Sequence, residues 1–453
     1  MTSRVQRLRV LMAHYSVSHA MSASTVFRSL IAGGLLVAAS GCHGLLDVSD
    51  PTLIRESDIA NAPGANAQRL NVLSVLNGMT PVFVDVAKFT DELMYDGPVG
   101  GITDLLGERM SQQFEASQGT RDQHLGNLDR VFYSTSIAIP PVRQYTPDSL
   151  RGDFLAQLYA IRGYVVLQAA EDLCSGFPLN DVSVDGLPAF GGPLTTDSAL
   201  ALAGANLDSA LKYVHDSTRV ETLARVAKGR LLLNQGHYAE AAAVVHSVET
   251  ESVYQVDNNT VFGVQRPNRW SRGGVNLAVG NHEGGNGLPF GSHDPRIPLA
   301  LGGARAGNAG ETLYVTSKYP SATAPISIAT GIEARLIEAE AALNADDPNW
   351  ITILNTLRQT QISPALPDLS APATVAERVD LLYAERAFWL YITGRRLGDM
   401  RRLIKNYGRD PEHVFPTGVT LYGATFGTGT VIPFILAGAK LSNPNITAGC
   451  VTR

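Results

Sequence analysis

The sequence predicts a mainly α protein: paired helices forming a scaffold, long irregular loops carried on it, and minor β-hairpins. Three observations lead there. Apolar residues recur at helical spacing in residues 65–79, 148–173, 197–249, 331–359 and 375–404. One stretch, "ARVAKGRLLLNQGHYAEAAAVV" (224–245), reads as two helices meeting at a glycine turn. Between residues 251 and 328 the helical period disappears, and Gly, Pro, Asn and isolated aromatics take over.

In chain order, residues 21–42 read "MSASTVFRSLIAGGLLVAASGC". Arg28 is a short positive region, Leu30 to Ala39 is apolar, and small residues run straight into Cys42. This is the pattern of a secretory signal whose apolar stretch is too short to span a bilayer. A cysteine directly after the small residues resembles a bacterial lipobox, although Ala39 stands where Leu is commoner. That resemblance implies that Cys42 is diacylated, that the chain is cleaved on its N side, and that Cys42 becomes the first residue of the mature protein. Each buried acyl CH₂ contributes roughly 0.8 kcal/mol, so the anchor is strong. An ordinary signal peptide with a chance cysteine is the plain alternative. Residues 1–20 are long for a leading positive region, which makes Met21 an alternative start. After Cys42 no stretch approaches the ~18 consecutive apolar residues of a membrane span.

The expected organisation is a leader over 1–41, a polar, turn-rich tether over 42–63 and a helical domain over 64–453 with the loop-rich insertion 251–328. In the helical domain, "ANAQRLNVLSVLNGM" (65–79) precedes Pro81, which interrupts its helix or starts the next. Asp148 is placed to cap the longest pattern, whose apolar stripe is Leu155, Leu158, Ile161, Val165 and Ala169. In 224–245, small residues at Ala227, Gly229 and Ala241 let two helices approach, Gly236 sits at the turn and Tyr238 follows it. That is the logic of a tetratricopeptide repeat, whose helices bury their faces only by stacking on neighbours. Residues 331–359 and 375–404 follow it loosely, giving an irregular tetratricopeptide-like superhelix. Residues 95–120 and 175–195 read as smaller irregular segments like the insertion.

Charge and motifs exclude several functions. The 453 residues carry 36 basic and 42 acidic side chains. Without the four arginines of residues 1–41, 32 basic face 42 acidic residues, a net charge of −10. An exported chain with that balance is a poor nucleic-acid binder, and no such partner is expected. The hydrolase elbow G-x-S-x-G, the zinc motif H-E-x-x-H and the phosphate loop are all missing. No catalytic residue or cofactor is expected. His282-Glu283 and His293-Asp294 match no standard zinc spacing, while a structural calcium on loop carboxylates and carbonyls stays open. Cys174 and Cys450 either form a disulfide or remain two buried thiols.

The stretch "ERAFWLYITGRRLGDMRR" (385–402) sets five arginines around Trp389. Read as one helix, Arg395 and Arg396 lie four and three residues before Asp399, and Arg402 three after it. With Glu385 and Arg386 they read as a structural clamp that ties a helix end to its neighbours, since the arginine fork also satisfies backbone carbonyls. As exposed pairs, each would contribute only a few tenths of a kcal/mol. Gly394 allows a close crossing or a helix break. In the insertion, Trp270, His282 and Phe290 with Asn268, Asn276 and Asn281 offer flat faces and amides suited to a sugar. The plain alternative for each aromatic is that it pins its loop to the scaffold.

Six stretches, in order, resemble the SusD/RagB family of outer-membrane lipoproteins. They are "CHGLLDVSDPTLI" (42–54), "LYAIRGYVVLQAAEDLCSGFPL" (158–179), "SHDPRIP" (292–298), "GIEARLIEAEAALNADDPNW" (331–350), "ERAFWLYITGRRLGDMRRL" (385–403) and "NPNITAGC" (443–450). One departure is that "LAGAKLSNPN" lacks the Glu that the family usually carries before this motif. The resemblance implies a right-handed superhelix on the extracellular face of the outer membrane. It also implies a lid over a SusC-like TonB-dependent transporter that captures a glycan, oligosaccharide or peptide without covalent chemistry. It transfers no ligand residue, because family members use different positions. An acidic transporter loop would be an alternative partner for the 385–402 arginines. A helical scaffold with protein partners only, or a lipid-anchored glycan hydrolase, are the competing functions.

Overall fold

The computed structural model describes residues 59–95, 109, 118–183, 187–257, 277–301, 313–321, 323–420, 425–434 and 443–446. Cys42, Asn268, Trp270, Asn276 and Cys450 lie outside the described residues, as does the leader.

The fold is mainly helical. Helix α1 (Ala62–Leu76) starts where the Asn61 side chain accepts a hydrogen bond from the Gly64 N–H, with Pro63 in its first turn. A short 3-10 turn leads into α2 (Thr80–Phe89), so Pro81 starts a helix rather than interrupting one. Together Ala62–Phe89 are long and apolar enough in average composition to cross a membrane, although they hold no run of ~18 consecutive apolar residues. Their apolar side chains Val72, Leu76, Val82, Phe83, Val86 and Phe89 are instead buried in the core.

After strand β1 (Leu93–Tyr95), α3 (Gln118–Tyr145) continues through Pro140 and Pro141. Helix α4 (Asp148–Asp172) buries the whole stripe Leu155, Leu158, Ile161, Val165 and Ala169. Pro147 occupies the cap position, so Asp148 is the first helical residue. The pairs β2 (Phe177–Pro178) with β5 (Pro193–Leu194) and β3 (Asp181–Val182) with β4 (Pro188–Ala189) form small ladders.

Next come α5 (Thr196–Tyr213), α6 (Thr218–Gln235) and α7 (Tyr238–Val245). Gly236 ends α6 with φ 80°. A Cβ on Gly229 would stand 2.6 Å from the Val245 side chain, which is the close crossing that a helix pair needs. The C-terminal helices are α8 (Gly331–Asn344), α9 (Asn349–Thr360), α10 (Val375–Trp389), α11 (Arg396–Tyr407) and α12 (Pro411–Val414). Helix α4 packs on α3, α5 and α6, α6 on α7 and α8, and α8 on α9 and α10. Each helix thus hides its apolar face only against its neighbours, as in a tetratricopeptide array. A second apolar cluster around Trp350, Leu354, Leu382 and Tyr383 joins α8, α9 and α10.

The insertion closes at its neck. Strands β6 (Val253–Val256) and β10 (Ile326–Thr330), at its two ends, pair antiparallel. Inside it, β7 (Leu277–Val279) pairs with β1, and β8 (Leu299–Leu301) pairs with β9 (Tyr314–Thr316). Cys174 is buried and disulfide-bonded, with its partner outside the described residues. Its N–H donates to the Ile432 carbonyl, and the Ile432 N–H donates to Asp172, so a late chain segment runs beside the end of α4.

Candidate functional site: a loop face pinned by buried ion pairs

The register of β1 on β7 sets Tyr95 opposite Leu277. Beside the start of β1 lies the turn Leu390–Arg395 between α10 and α11, where Tyr391 Oη donates to the Glu92 carbonyl at 2.9 Å. This is where the 385–402 stretch departs from its one-helix reading. Ile392 has φ 52° and Gly394 φ 77°, and the helix breaks. A branched side chain at positive φ is a strained arrangement that needs support from its surroundings. Here the Ile392 N–H donates to Glu92 Oε1 at 2.7 Å, and the Ile392 carbonyl accepts from Tyr319 Oη at 3.1 Å.

Because the helix breaks, the arginines point to different partners. Arg396 forks onto Asp91 (2.7 and 2.8 Å), and Asp91 in turn accepts from the Leu288 N–H in the loop at 2.9 Å. Arg395 reaches Glu333 at 3.1 Å, Gln168 at 2.9 Å and the Ile328 carbonyl. Arg386 forks onto Asp399 (2.8 and 2.9 Å), which also receives Arg402 at 2.7 Å. Arg402 continues to Glu340 at 3.1 Å. Of the three helical pairs predicted on Asp399, only the one with Arg402 is an ion pair.

The pairs are buried, not exposed: Arg386, Arg395, Arg396, Asp399 and Arg402 are all in the interior. Burial alone would raise the Asp399 pKa, but the charges of Arg386 and Arg402 and their hydrogen bonds hold it down to about 2. Burial alone would lower the Arg386 pKa, and Asp399 and Glu340 instead raise it. Buried groups of this kind carry their charge only while every partner is in place.

Glu385 extends the clamp to the loop. It takes Arg358 at 2.6 Å and Arg296 at 2.7 Å. Arg296 also grips Asp294 at 2.7 Å and lies over the rings of Phe388 (4.9 Å) and Trp389 (5.2 Å). The "DPR" turn is therefore a pin. Lys318 donates to the Tyr391 carbonyl at 2.5 Å. Phe290 is fully buried, its ring 5.0 Å from Tyr391 and 5.2 Å from Phe388. It offers no open face to a ligand, which corrects its sequence assignment: a phenylalanine between loop glycines gives no sign of which way it turns.

Of the candidate ligand and cation residues described on this loop, Asn281, His282 and His293 are exposed. Asn281 covers Gly291, where a Cβ would stand 3.0 Å from the amide carbon. His282 and His293 both adopt positive φ, 56° and 64°. His293 meets the edge of the Tyr314 ring at 4.9 Å. Sequence reasoning missed Tyr314, which enters only through the β8–β9 ladder. The group His282, Glu283, His293 and Asp294 is not assembled as a cation site, since Asp294 is taken by Arg296. Among the described residues no three His, Cys, Asp or Glu side chains are placed to hold a metal. The surface suits hydrogen bonding and stacking by a polar, ring-bearing ligand.

Fold and loop face together define a helical-repeat protein that displays a braced loop surface. No family model matches the chain, and no curated protein is similar to it. Solved structures are. A SusD homolog from Bacteroides thetaiotaomicron VPI-5482 superposes with a TM-score of 0.63 at 14% identity, covering 88% of this chain and 99% of that one. A SusD-like carbohydrate-binding protein from Bacteroides vulgatus ATCC 8482 gives 0.62 at 14% identity, with 85% and 97% covered. NanU from B. fragilis gives 0.63 at 12%, with 88% and 99% covered. The fold of this chain is that of the SusD superfamily.

Proposed function

We propose that this protein is an outer-membrane lipoprotein that captures a nutrient, a glycan or oligosaccharide or else a peptide, and acts as the lid of a SusC-like TonB-dependent transporter. The observation that carries the reading is the SusD fold with its loop face braced onto α10 and α11, in a chain whose Cys42 follows a secretory signal. Residues 1–41 are the cleaved leader, 42–63 the tether and 64–453 the binding domain, held by acyl chains on the extracellular face of the outer membrane. Capture is non-covalent and needs no cofactor. Carbohydrate binding by a structural neighbour supports the glycan alternative. Asn281 and His282, with Asn268 and Trp270 of the same insertion, supply the hydrogen bonds and ring face. Cys174 pairs with Cys450, because Cys42 is acylated and the chain has only three cysteines.

Palmitate-analogue labelling that disappears in Cys42→Ser tests the anchor. Affinity purification from native membranes tests the transporter: recovery of the protein without any TonB-dependent barrel would sink that part. Calorimetry against a glycan and peptide panel tests capture, with Trp270→Ala and His282→Ala each expected to weaken binding by about 1–3 kcal/mol.

A further inference from the structure

A cavity of about 950 Å³ lies away from the loop face, where three helix ends meet one helix side. Its lining comes from the end of α4, Ser175, Gly176 and Pro193, the start of α5, the end of α6, one side of α11 and residues 430–431. None of it comes from the insertion. The walls are aliphatic, chiefly Leu200, Ile404 and Val431.

Some of the polar groups that face it have donors to spare, whereas Arg402 and Asn234, which also line it, are engaged with Glu340, Asp399 and Glu171. Arg401 uses only Nη1, on the Ala170, Glu171 and Leu173 carbonyls at the end of α4. Its Nε and Nη2 have no protein acceptor among the described residues. Lys405 has one long bond, 3.4 Å to the Asn234 carbonyl. Among the described residues neither cation forms a direct ion pair with a carboxylate, although the charges of Asp172 and Glu171 act on Arg401 from further off. At the start of α5, Thr195 caps the Ser198 N–H, which leaves the Thr196 and Asp197 N–H groups without a described acceptor. Two acids also line the space. Glu171 Oε1 is held by Arg230 at 3.0 Å and Asn234 at 2.6 Å, its Oε2 has no hydrogen-bond partner among the described residues, and Asp197 is exposed on the first turn of α5. Spare donors, two cations outside any direct ion pair and aliphatic walls call for one chemistry: an acceptor with negative charge attached to an apolar body.

We propose that this cavity is a second binding site, separate from the loop face, for a small carboxylate with an aliphatic body. The carboxylate lies against Arg401, Lys405 and the start of α5, and the body against Leu200, Ile404 and Val431. A free organic acid and the C-terminus of a peptide share this chemistry. The site does not depend on the transporter reading.

Hexanoate stands for the free acid and N-acetylleucine for the peptide end. Each is titrated into the purified protein by calorimetry, with its methyl ester as control. At least one acid should saturate below about 1 mM, its ester binding at least about tenfold more weakly. Lys405→Gln should weaken binding about tenfold with an unchanged melting temperature. Thr196→Trp should fill the space and abolish binding. Saturation by hexanoate alone assigns the site to free acids, and by N-acetylleucine alone to peptide ends. Failure of both acids to saturate, an ester equal to its acid, or full binding by Lys405→Gln overturns the proposal.

Discussion

Asp399 receives three N–H groups from Arg386 and Arg402 and is only 2% exposed. Asp399→Asn removes the charge and leaves two buried guanidinium groups short of a partner. The expected loss is about 3–5 kcal/mol, read as a lower urea midpoint. Histidine 124 shows the same physics with a titratable cation. It bridges Asp85 and Asp172 at 3.2 Å each, linking α2, α3 and α4. Burial lowers its pKa, but the two carboxylates outweigh burial and raise it to about 9. A folded-state pKa above the unfolded one means stability that is full below about pH 6.5 and is lost as pH rises through about 9. Glu92, which burial pushes up to about 8 against its bond from the Ile392 N–H, contributes a loss of the same sign. Urea midpoints should therefore fall from neutral to alkaline pH, and His124→Gln and Glu92→Gln should each flatten the slope. The sequence placed opposite charges around Asp399 but not their partners. Glu340, Asp91 and Glu333 are 59, 308 and 66 residues away from Asp399 in the chain, and only packing brings such groups together.

Helix identity was legible wherever the apolar stripe was long, as in α4, and wherever small residues marked a crossing, as in α6 and α7. Helix α3 was not legible, because Pro140 and Pro141 argue for a break that the packed neighbours override. The α10–α11 break was half legible. Gly394 signalled a crossing or a break, but the reading as one helix put Arg395 and Arg396 on the same face as Asp399. At Gly394, φ is 77° and a Cβ would stand 2.5 Å from the Phe83 ring. Gly394→Ala should cost about 2 kcal/mol or more through both backbone strain and overpacking. The melting temperature checks this, and Gly408→Ala, with φ 63° and open space, provides the strain-only control. The β6–β10 ladder joins Val253–Val256 to Ile326–Thr330, and strand pairing there takes the place of a helical period.

At the scale of the whole molecule, a cross-link from the end of α4 to the end of the chain would close a loop of more than two hundred residues. Cys174→Ser and Cys450→Ser should each destabilise by about 2–5 kcal/mol, whereas Cys42→Ser should leave the melting temperature of the soluble form unchanged. Thermal melts with and without reductant check both halves. The sequence by itself determined the helical class and the helix pair around Gly236. These rest on local periods, turn residues and short ordered motifs that a chain carries before it folds. Only the tertiary structure decided that the arginine stretch is interior, that Phe290 is a pin and not a platform, that Tyr314 stands beside His293, and that three helix ends enclose a cavity. Each of those depends on which distant groups share one low-dielectric space, and spacing along the chain does not encode that.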